Sequence, residues 1–363
     1  MGGRTSSRLL TFPRAVFYRW LQPRRKPHLP RRILVAHNLL LGDTLMLAPL
    51  LAKLRQRYPQ AEIACTVKPA FVSLFAGQPF GVKALPYNPR DPETVRAIIK
   101  SGGYDLALIP GDNRYAWLAA AAGCGWIRAF AEDKPGSKGA AVDETVPYPA
   151  HPAAWADMNG LLVDGPAPQA YTPADWPAPA YRPFAMPKRP YAVLHVGAST
   201  PLKFWPSDNW RELADWLAGQ GMQVVWSCGT GEQAALEGLP RDQESRFAGS
   251  LDLPQLWHLL AGARLLVCPD TGVAHIGKLT GTPTVTLFGP GAADIYGAGD
   301  YWHNMPYRAV TVSPFPCRDQ HRLFGREISW VQRCGRGLQE CSQPRCMEAI
   351  TPASVRAAIG ELL

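Results

Sequence analysis

The sequence has no apolar run near the roughly 18 residues that a membrane-crossing helix requires, and no short-period repeat of the solenoid kind. No Gly-x-Gly-x-x-Gly follows its first strand-like segment. Asn38–Asp43 stands there instead, which argues against a nicotinamide-dependent Rossmann enzyme. No Cys-x-x-Cys pair occurs among the eight cysteines, so the spacing of a zinc ribbon is missing. Arg14 and Arg19 interrupt any candidate apolar stretch near the start, so a secretory leader fits poorly. Acidic residues are missing from the first 32 positions altogether.

What is present describes a globular protein. At 363 residues, 47% apolar and 18% charged, the chain can bury two cores. The net charge of +9 is confined to one place: residues 1–32 hold nine Lys or Arg, and the remaining 331 hold 29 of each sign. In this arm Leu9, Phe12, Val16, Phe17 and Trp20 fall on one side of a helical wheel, with Arg8, Arg14 and Arg19 away from its centre. A basic amphipathic segment of this kind suits an anionic membrane surface. The alternatives are a disordered basic tail or a helix docked on its own domain.

Strand-like apolar runs alternate with helical periodicity. Arg31–His37, Ala61–Val67, 83–87, 104–110 and 126–131 read as strands, with helices expected over Thr44–Tyr58, 91–100 and 114–122. Residues 147–190 hold 11 of the 36 prolines and read as an irregular segment ending in a linker. The alternation resumes with strands at Tyr191–Gly197, Gln223–Ser227, Arg264–Cys268 and Thr282–Phe288. Helices fall at 207–219, Leu253–Ala263 and Pro352–Leu363. The expected organisation is a basic arm (1–30), a Rossmann-like domain with its linker (31–185), a second such domain (186–345), and a terminal helix (346–363). Two parallel α/β sheets of this type predict a ligand cleft between the carboxyl ends of their strands.

The most informative segment is Leu265-Leu-Val-Cys-Pro-Asp270-Thr271-Gly272-Val-Ala-His275. A strand that ends at an Asp-Thr-Gly turn and enters a helix presents free N–H groups and a helix dipole to a diphosphate. The plainer reading is a helix cap at Asp270 or Thr271 and a core histidine at His275. A second strand end, His195–Pro206, offers the hydroxyls of Ser199 and Thr200 and the cation of Lys203.

Together Asp270-Thr-Gly…His275…Gly281-Thr-Pro283…Phe288-Gly-Pro290 closely resembles the C-terminal signature of the ADP-heptose heptosyltransferases, glycosyltransferase family nine. Lys203-Phe-Trp-Pro206 with Asn209-Trp210 resembles it too, as does the opening Ile33-Leu-Val…Leu41-Gly-Asp43-Thr-Leu45…Pro49. The resemblance implies the glycosyltransferase B fold, with acceptor in the first half and nucleotide sugar in the second. It implies that Asp43 is the general base, for which the alternative is an N-cap aspartate. Lys203 and the Thr271-Gly272 helix start would stabilise the departing diphosphate. Glu232 and Leu251 would contact the nucleoside. The absence of any Asp-x-Asp agrees with metal-independent, inverting transfer in which protein cations replace a divalent ion.

The tail departs from that pattern. Cys317, Cys334, Cys341 and Cys346 lie within 30 residues, among six arginines. They are candidate ligands of a structural zinc or iron, as in the iron-binding cysteine fingers of related autotransporter heptosyltransferases; unligated thiols or disulfides are the alternative. No cofactor is expected for catalysis and no nucleic acid as partner. The expected activity is heptose transfer from ADP-heptose to a lipopolysaccharide core or related glycan, at the inner face of the cytoplasmic membrane. Another nucleotide sugar, a protein acceptor, or a non-catalytic nucleotide-sugar binder are the alternatives.

Overall fold

The computed structural model describes residues 2–21, 24–240 and 246–363. The chain divides into two compact units, residues 1–169 with 175–177 and 322–329, and residues 170–174 with 178–321 and 330–363.

In the first unit a long helix, α1 (Gly2–Leu21), precedes β1 (Arg32–Val35), α2 (Leu41–Leu45), α3 (Ala48–Arg57), β2 (Glu62–Val67), β3 (Val82–Pro86) and α4 (Pro92–Lys100). Next come β4 (Leu106–Ile109), α5 (Ala116–Ala121), β5 (Trp126–Phe130), β6 (Glu144–Val146) and α6 (Trp155–Gly160). The strands form one parallel sheet in the order β3-β2-β1-β4-β5-β6. Its inner strands are buried along their length, as β4 (Leu-Ala-Leu-Ile) illustrates, because helices cover both faces. The single helix expected over 44–58 is two. The first ends at Leu45, and the second starts at Ala48 with Pro49 in its first turn, where its missing N–H costs nothing.

The second unit repeats the plan with β7 (Tyr191–His195), α7 (Ser207–Gly219), β8 (Gln223–Cys228), β9 (Arg246–Ala248), α8 (Leu253–Ala261) and β10 (Leu265–Pro269). It continues with α9 (Gly272–Thr280), β11 (Thr284–Phe288), α10 (Ala293–Tyr296) and β12 (Tyr307–Thr311). Its parallel sheet runs β12-β11-β10-β7-β8-β9. Relabelled from its own first strand, each sheet has the order 3-2-1-4-5-6. Each therefore has one switch point, between β1 and β4 and between β7 and β10, where crevices form at the strands' carboxyl ends.

The tail holds a hairpin, β13 (Arg322–Leu323) with β14 (Arg326–Glu327), then α11 (Arg345–Glu348) and α12 (Pro352–Gly360). The hairpin, which the sequence groups with the second half, packs in the first unit. There the buried Arg326 donates to the carbonyls of Ala131, Gly111 and Phe130 and to Asn113 Oδ1, while Phe324 packs on Trp155. Among the described residues no helix is long and apolar enough to cross a membrane.

Candidate functional site

In the second unit the chemistry collects at the switch point. After β10, Asp270 donates its N–H to the Leu287 carbonyl, and Thr271 caps α9 in extended conformation, its hydroxyl accepting the Val273 N–H at 3.3 Å. After β7, Thr200 caps a short turn over Pro201–Lys203 by accepting the Leu202 N–H. That turn aims Lys203 across the switch point. Its Nζ donates to the Asp270 carbonyl at 2.7 Å and to its carboxylate at 2.9 Å. The pair leaves no room for a side chain opposite: a Cβ on Gly291 would collide with Asp270 Oδ2. A cation is thus fixed beside the first turn of α9, where backbone N–H groups already favour negative charge.

His275, one turn into α9, is buried, and among the described residues its Nδ1 has no hydrogen-bond partner. Burial, with the charges of Lys278 and Lys203, pushes this imidazole well below its usual range, so it is neutral at pH 7. Lys278 itself is buried over the rings of Trp302 and Tyr307 and donates to the Gly297 carbonyl at 2.6 Å.

At the neighbouring strand end Glu232 folds back so that Oε2 accepts the Gly229 N–H at 2.9 Å, and a Cβ on Gly197 would collide with that oxygen. Leu251 is half-buried immediately before the capping box of α8, formed by Asp252 and Gln255. Ser199 is exposed, and the Thr200 hydroxyl serves the turn that presents Lys203. Gly197 and Gly291 were not singled out from the sequence. The signal available for both was a glycine just beyond a buried strand.

The tail cysteines share one cavity of about 340 Å³, lined by Cys317, Cys334, Cys341 and Cys346 together with Leu202 and Arg336. Burial and the neighbouring Cys334 raise the Cys317 thiol, and burial lifts Cys346 to about 11. Among the described residues no three His, Cys, Asp or Glu side chains stand close enough to hold a metal ion. Two tail arginines are committed to structure. Arg318 donates to the Gly289, Phe288 and Val312 carbonyls, and Arg336 to the Cys317 carbonyl and the Asp319 carboxylate.

In the first unit the switch point is occupied by the loop after β1 and by Asp43. The loop is pinned from below. His37 donates its N–H to Thr66 Oγ1 and accepts from that hydroxyl, both at 2.7 Å. Its Nδ1 accepts the Leu39 N–H, so in the neutral ring Nε2 carries the hydrogen and faces Cys65 Sγ at 3.2 Å. Burial, then the charge of Lys68, lowers this imidazole to about 3. Helix α2 begins at Leu41, with Leu40 at the cap position, so Asp43 is inside the first turn and is not the N-cap. It is half-buried, and its charge works against the lowering that burial imposes on Lys68.

Comparison with known proteins accords with this geometry. The model of glycosyltransferase family 9 (heptosyltransferase) matches residues 99–318. The chain is 28% identical over 191 residues to lipopolysaccharide heptosyltransferase 1 of Pseudomonas aeruginosa, covering 49% of this chain and 50% of that protein. It is 31% identical over 115 residues to lipopolysaccharide heptosyltransferase 2 of Escherichia coli K12, 30% of this chain and 33% of that one. The matched segment thus spans half or less of the length of these curated relatives. Among solved structures, E. coli ADP-heptose lps heptosyltransferase II superposes with a TM-score of 0.68 at 21% identity, covering 92% of this chain and 98% of the other. The dodecameric iron-containing glycosyltransferase TibC of enterotoxigenic E. coli gives 0.54 at 17% identity, covering 94% and 77%. The expected α/β fold of the glycosyltransferase B type is borne out by these likenesses.

Proposed function

The chain belongs to glycosyltransferase family 9, the heptosyltransferases, and from that premise we propose that it is an inverting, metal-independent enzyme. It moves heptose from ADP-heptose to a lipopolysaccharide core or related surface-glycan acceptor, at the inner face of the cytoplasmic membrane. The observation that carries the reading is the Lys203–Asp270 pair fixed beside the start of α9.

In this reaction Asp43 takes the proton of the acceptor hydroxyl as its oxygen bonds to the anomeric carbon. The bond from that carbon to the diphosphate breaks on the opposite face, which inverts the centre, and the electron pair leaves with ADP. Lys203, Thr271 and the N–H groups around Gly272 receive the diphosphate charge, doing electrostatically what a divalent ion does elsewhere. Glu232, with one oxygen held by Gly229, offers the other to a ribose hydroxyl, and Leu251 contacts the base. Ser199 and Thr200 belong to the loop that presents Lys203, and the neutral His275 borders the phosphate turn.

The test incubates the protein with ADP-heptose and a heptose-deficient lipopolysaccharide extract and follows acceptor mass. A heptose-sized gain is expected, falling by about 10²–10⁴-fold in Asp43→Ala. No gain despite binding of ADP-heptose moves the search to another acceptor, a protein included. Absence of binding overturns the donor.

The proposal includes a structural zinc or iron held by Cys317, Cys334, Cys341 and Cys346. Four thiols on one cavity, near the cations of Arg318 and Arg336, suit a thiolate-bound ion. The loops have to draw together around it, coupling binding to local folding. One ion per chain, with alkylation of the thiols slowed by added zinc, is the expected result; unchanged alkylation overturns it.

A further inference from the structure

An amphipathic helix that docks on its own domain ordinarily turns its apolar stripe inward, because that burial is what stabilises the docking. Helix α1 does this only at one margin, where Phe12 meets Trp117. The rest of its inward face is mostly small and polar: Ser7 and Ala15 are buried, Thr11 and Tyr18 are half-buried, and Ala15 packs among Ala116, Ala119 and Ala120 of α5. The alanines let the helices approach closely, and arginines fasten the contact. Arg14 donates to the Ala121 carbonyl at 3.0 Å, Arg19 to the Ala141 carbonyl at 2.7 Å and to Asp143, and Arg24 to the Cys124 carbonyl at 2.6 Å.

The opposite face is left open. Leu9 is 69% exposed, Phe17 59% and Trp20 87%, with Leu21 beside them and Phe12 at the margin against Trp117. At 100° per residue Leu9, Val16 and Trp20 lie within about 40° of one another, nearly opposite Tyr18 and Thr11 on the docked side. Of the residues whose spacing gives α1 its amphipathic character, Leu9, Phe17 and Trp20 are presented outward on a helix about 30 Å long, while Val16 is half-buried and Phe12 lies 4.9 Å from the ring of Trp117.

We propose that α1 is a preformed membrane-docking face of the first unit, whose open stripe of Leu9, Phe17 and Trp20 inserts into the headgroup region of an anionic lipid surface. Charge selects this occupant. Residues 1–32 carry nine cations and no acid, and Arg8 of α1 and Arg25 beyond its end are exposed. Arg19, Arg24, Lys26 and Arg32 are already paired with acids of the first unit; a second copy would set the exposed Arg8 and Arg25 against their own equivalents, whereas an anionic bilayer is complementary to them. Aromatic side chains are suited to the interface because their rings tolerate its half-wet environment. The face is rigid with its domain, so it fixes how the first unit lies on the membrane, which a tail folding only on contact would not do. This rests on the reading of a membrane-borne acceptor given above.

The test uses the full chain, flotation with phosphatidylcholine vesicles with and without phosphatidylglycerol, and turnover on vesicle-embedded and on delipidated acceptor. Leu9→Glu/Phe17→Glu/Trp20→Glu changes side chains of the open face, of which Phe17 is in edge contact with Tyr18. Its partitioning onto anionic vesicles is expected to fall by at least about tenfold, with turnover on embedded acceptor falling and turnover on delipidated acceptor kept. Arg8→Gln/Arg25→Gln is expected to weaken anionic binding only. Amide exchange in α1 is expected to be slow before any vesicle is added. Equal binding of parent and triple variant, equal binding to neutral vesicles, fast exchange in α1 without lipid, or a dimer abolished by the triple variant each overturns the inference. A parent that floats with vesicles yet turns over neither acceptor refutes the proposed reaction and leaves this face standing.

Discussion

Replacing Lys203 by Met should do more harm than the loss of a positive charge alone, because the residue it leaves behind is an acid. Lys203 Nζ is bonded to the Asp270 carbonyl at 2.7 Å and to its carboxylate at 2.9 Å, and Asp270 is only 8% exposed. Losing one preorganised donor to a developing anion costs about 10²–10³-fold in kcat. The uncovered carboxylate then repels the diphosphate by about 2 kcal/mol, taking a separation of about 8 Å and an effective dielectric constant near 20. That repulsion belongs to Asp270, so Asp270→Asn in the same chain should remove most of it. The double variant is therefore expected to bind ADP at least about tenfold more tightly than Lys203→Met alone, although it carries one more substitution. Calorimetric titration with ADP reads the binding, and single-turnover release of ADP reads the chemistry. If Lys203→Met keeps kcat/KM within about threefold of the parent, the cation is not at the diphosphate. If the second substitution brings no recovery, the account of Asp270 is wrong even where Lys203 matters.

Two further predictions concern the scaffold. Arg326 and Asp133 face each other at 3.8 Å with side chains 1% and 0% exposed, and Asp133 also meets Lys138 at 3.1 Å, so Arg326→Ala strands several buried carbonyls and takes one cation from a buried carboxylate. It should destabilise the first unit by about 3–5 kcal/mol in denaturant, with Arg326→Lys intermediate because an ammonium cannot fork; a loss under about 1 kcal/mol contradicts the assignment. The second concerns pH. Burial lowers His37 from 6.5 to about 3 and His195 from 6.5 to about 4. The unfolded chain therefore takes up protons below pH 6.5 that the folded chain refuses. Their contribution is complete above pH 6.5 and is lost as pH falls, by about 1.4 kcal/mol per pH unit for each histidine until its folded value is reached. Urea midpoints between pH 7 and 4.5 check this, and His37→Gln should reduce the slope by about one histidine's share; an unchanged slope excludes His37 as its source.

The inner strands of both sheets were legible because burial on two faces forces unbroken apolar runs such as Ile33-Leu-Val and Leu265-Leu-Val. The edges were not. Tyr307–Thr311 pairs with β11 at one margin of its sheet, where a half-exposed Tyr-Arg-Ala-Val-Thr looks like loop. Arg322–Ser329 was illegible for another reason: Arg326 is the kind of residue a sequence assigns to solvent, and only the carbonyls of Gly111, Phe130 and Ala131, nearly 200 residues or more away, give it a buried place. The site divides similarly. Lys203 and Asp270 were each named from their loops, but their pairing depends on β7 and β10 being neighbours, which no local pattern encodes.

Helix α1 sharpens the distinction between what periodicity can and cannot say. The sequence places Leu9, Val16 and Trp20 on one stripe, and it left membrane binding and docking on the domain as competing alternatives, since one apolar face can satisfy only one of them. The structure removes the competition by using the other face. Docking is supplied by the alanines of α5, by arginines reaching carbonyl oxygens and Asp143, and by Phe12 against Trp117, so Leu9, Phe17 and Trp20 are not needed for it. Such contacts are individually modest when half-exposed, so the helix holds its place through several of them. A helix fastened in this way keeps its apolar face exposed at a standing cost in hydration, and that cost is offset once the face meets a surface it can enter.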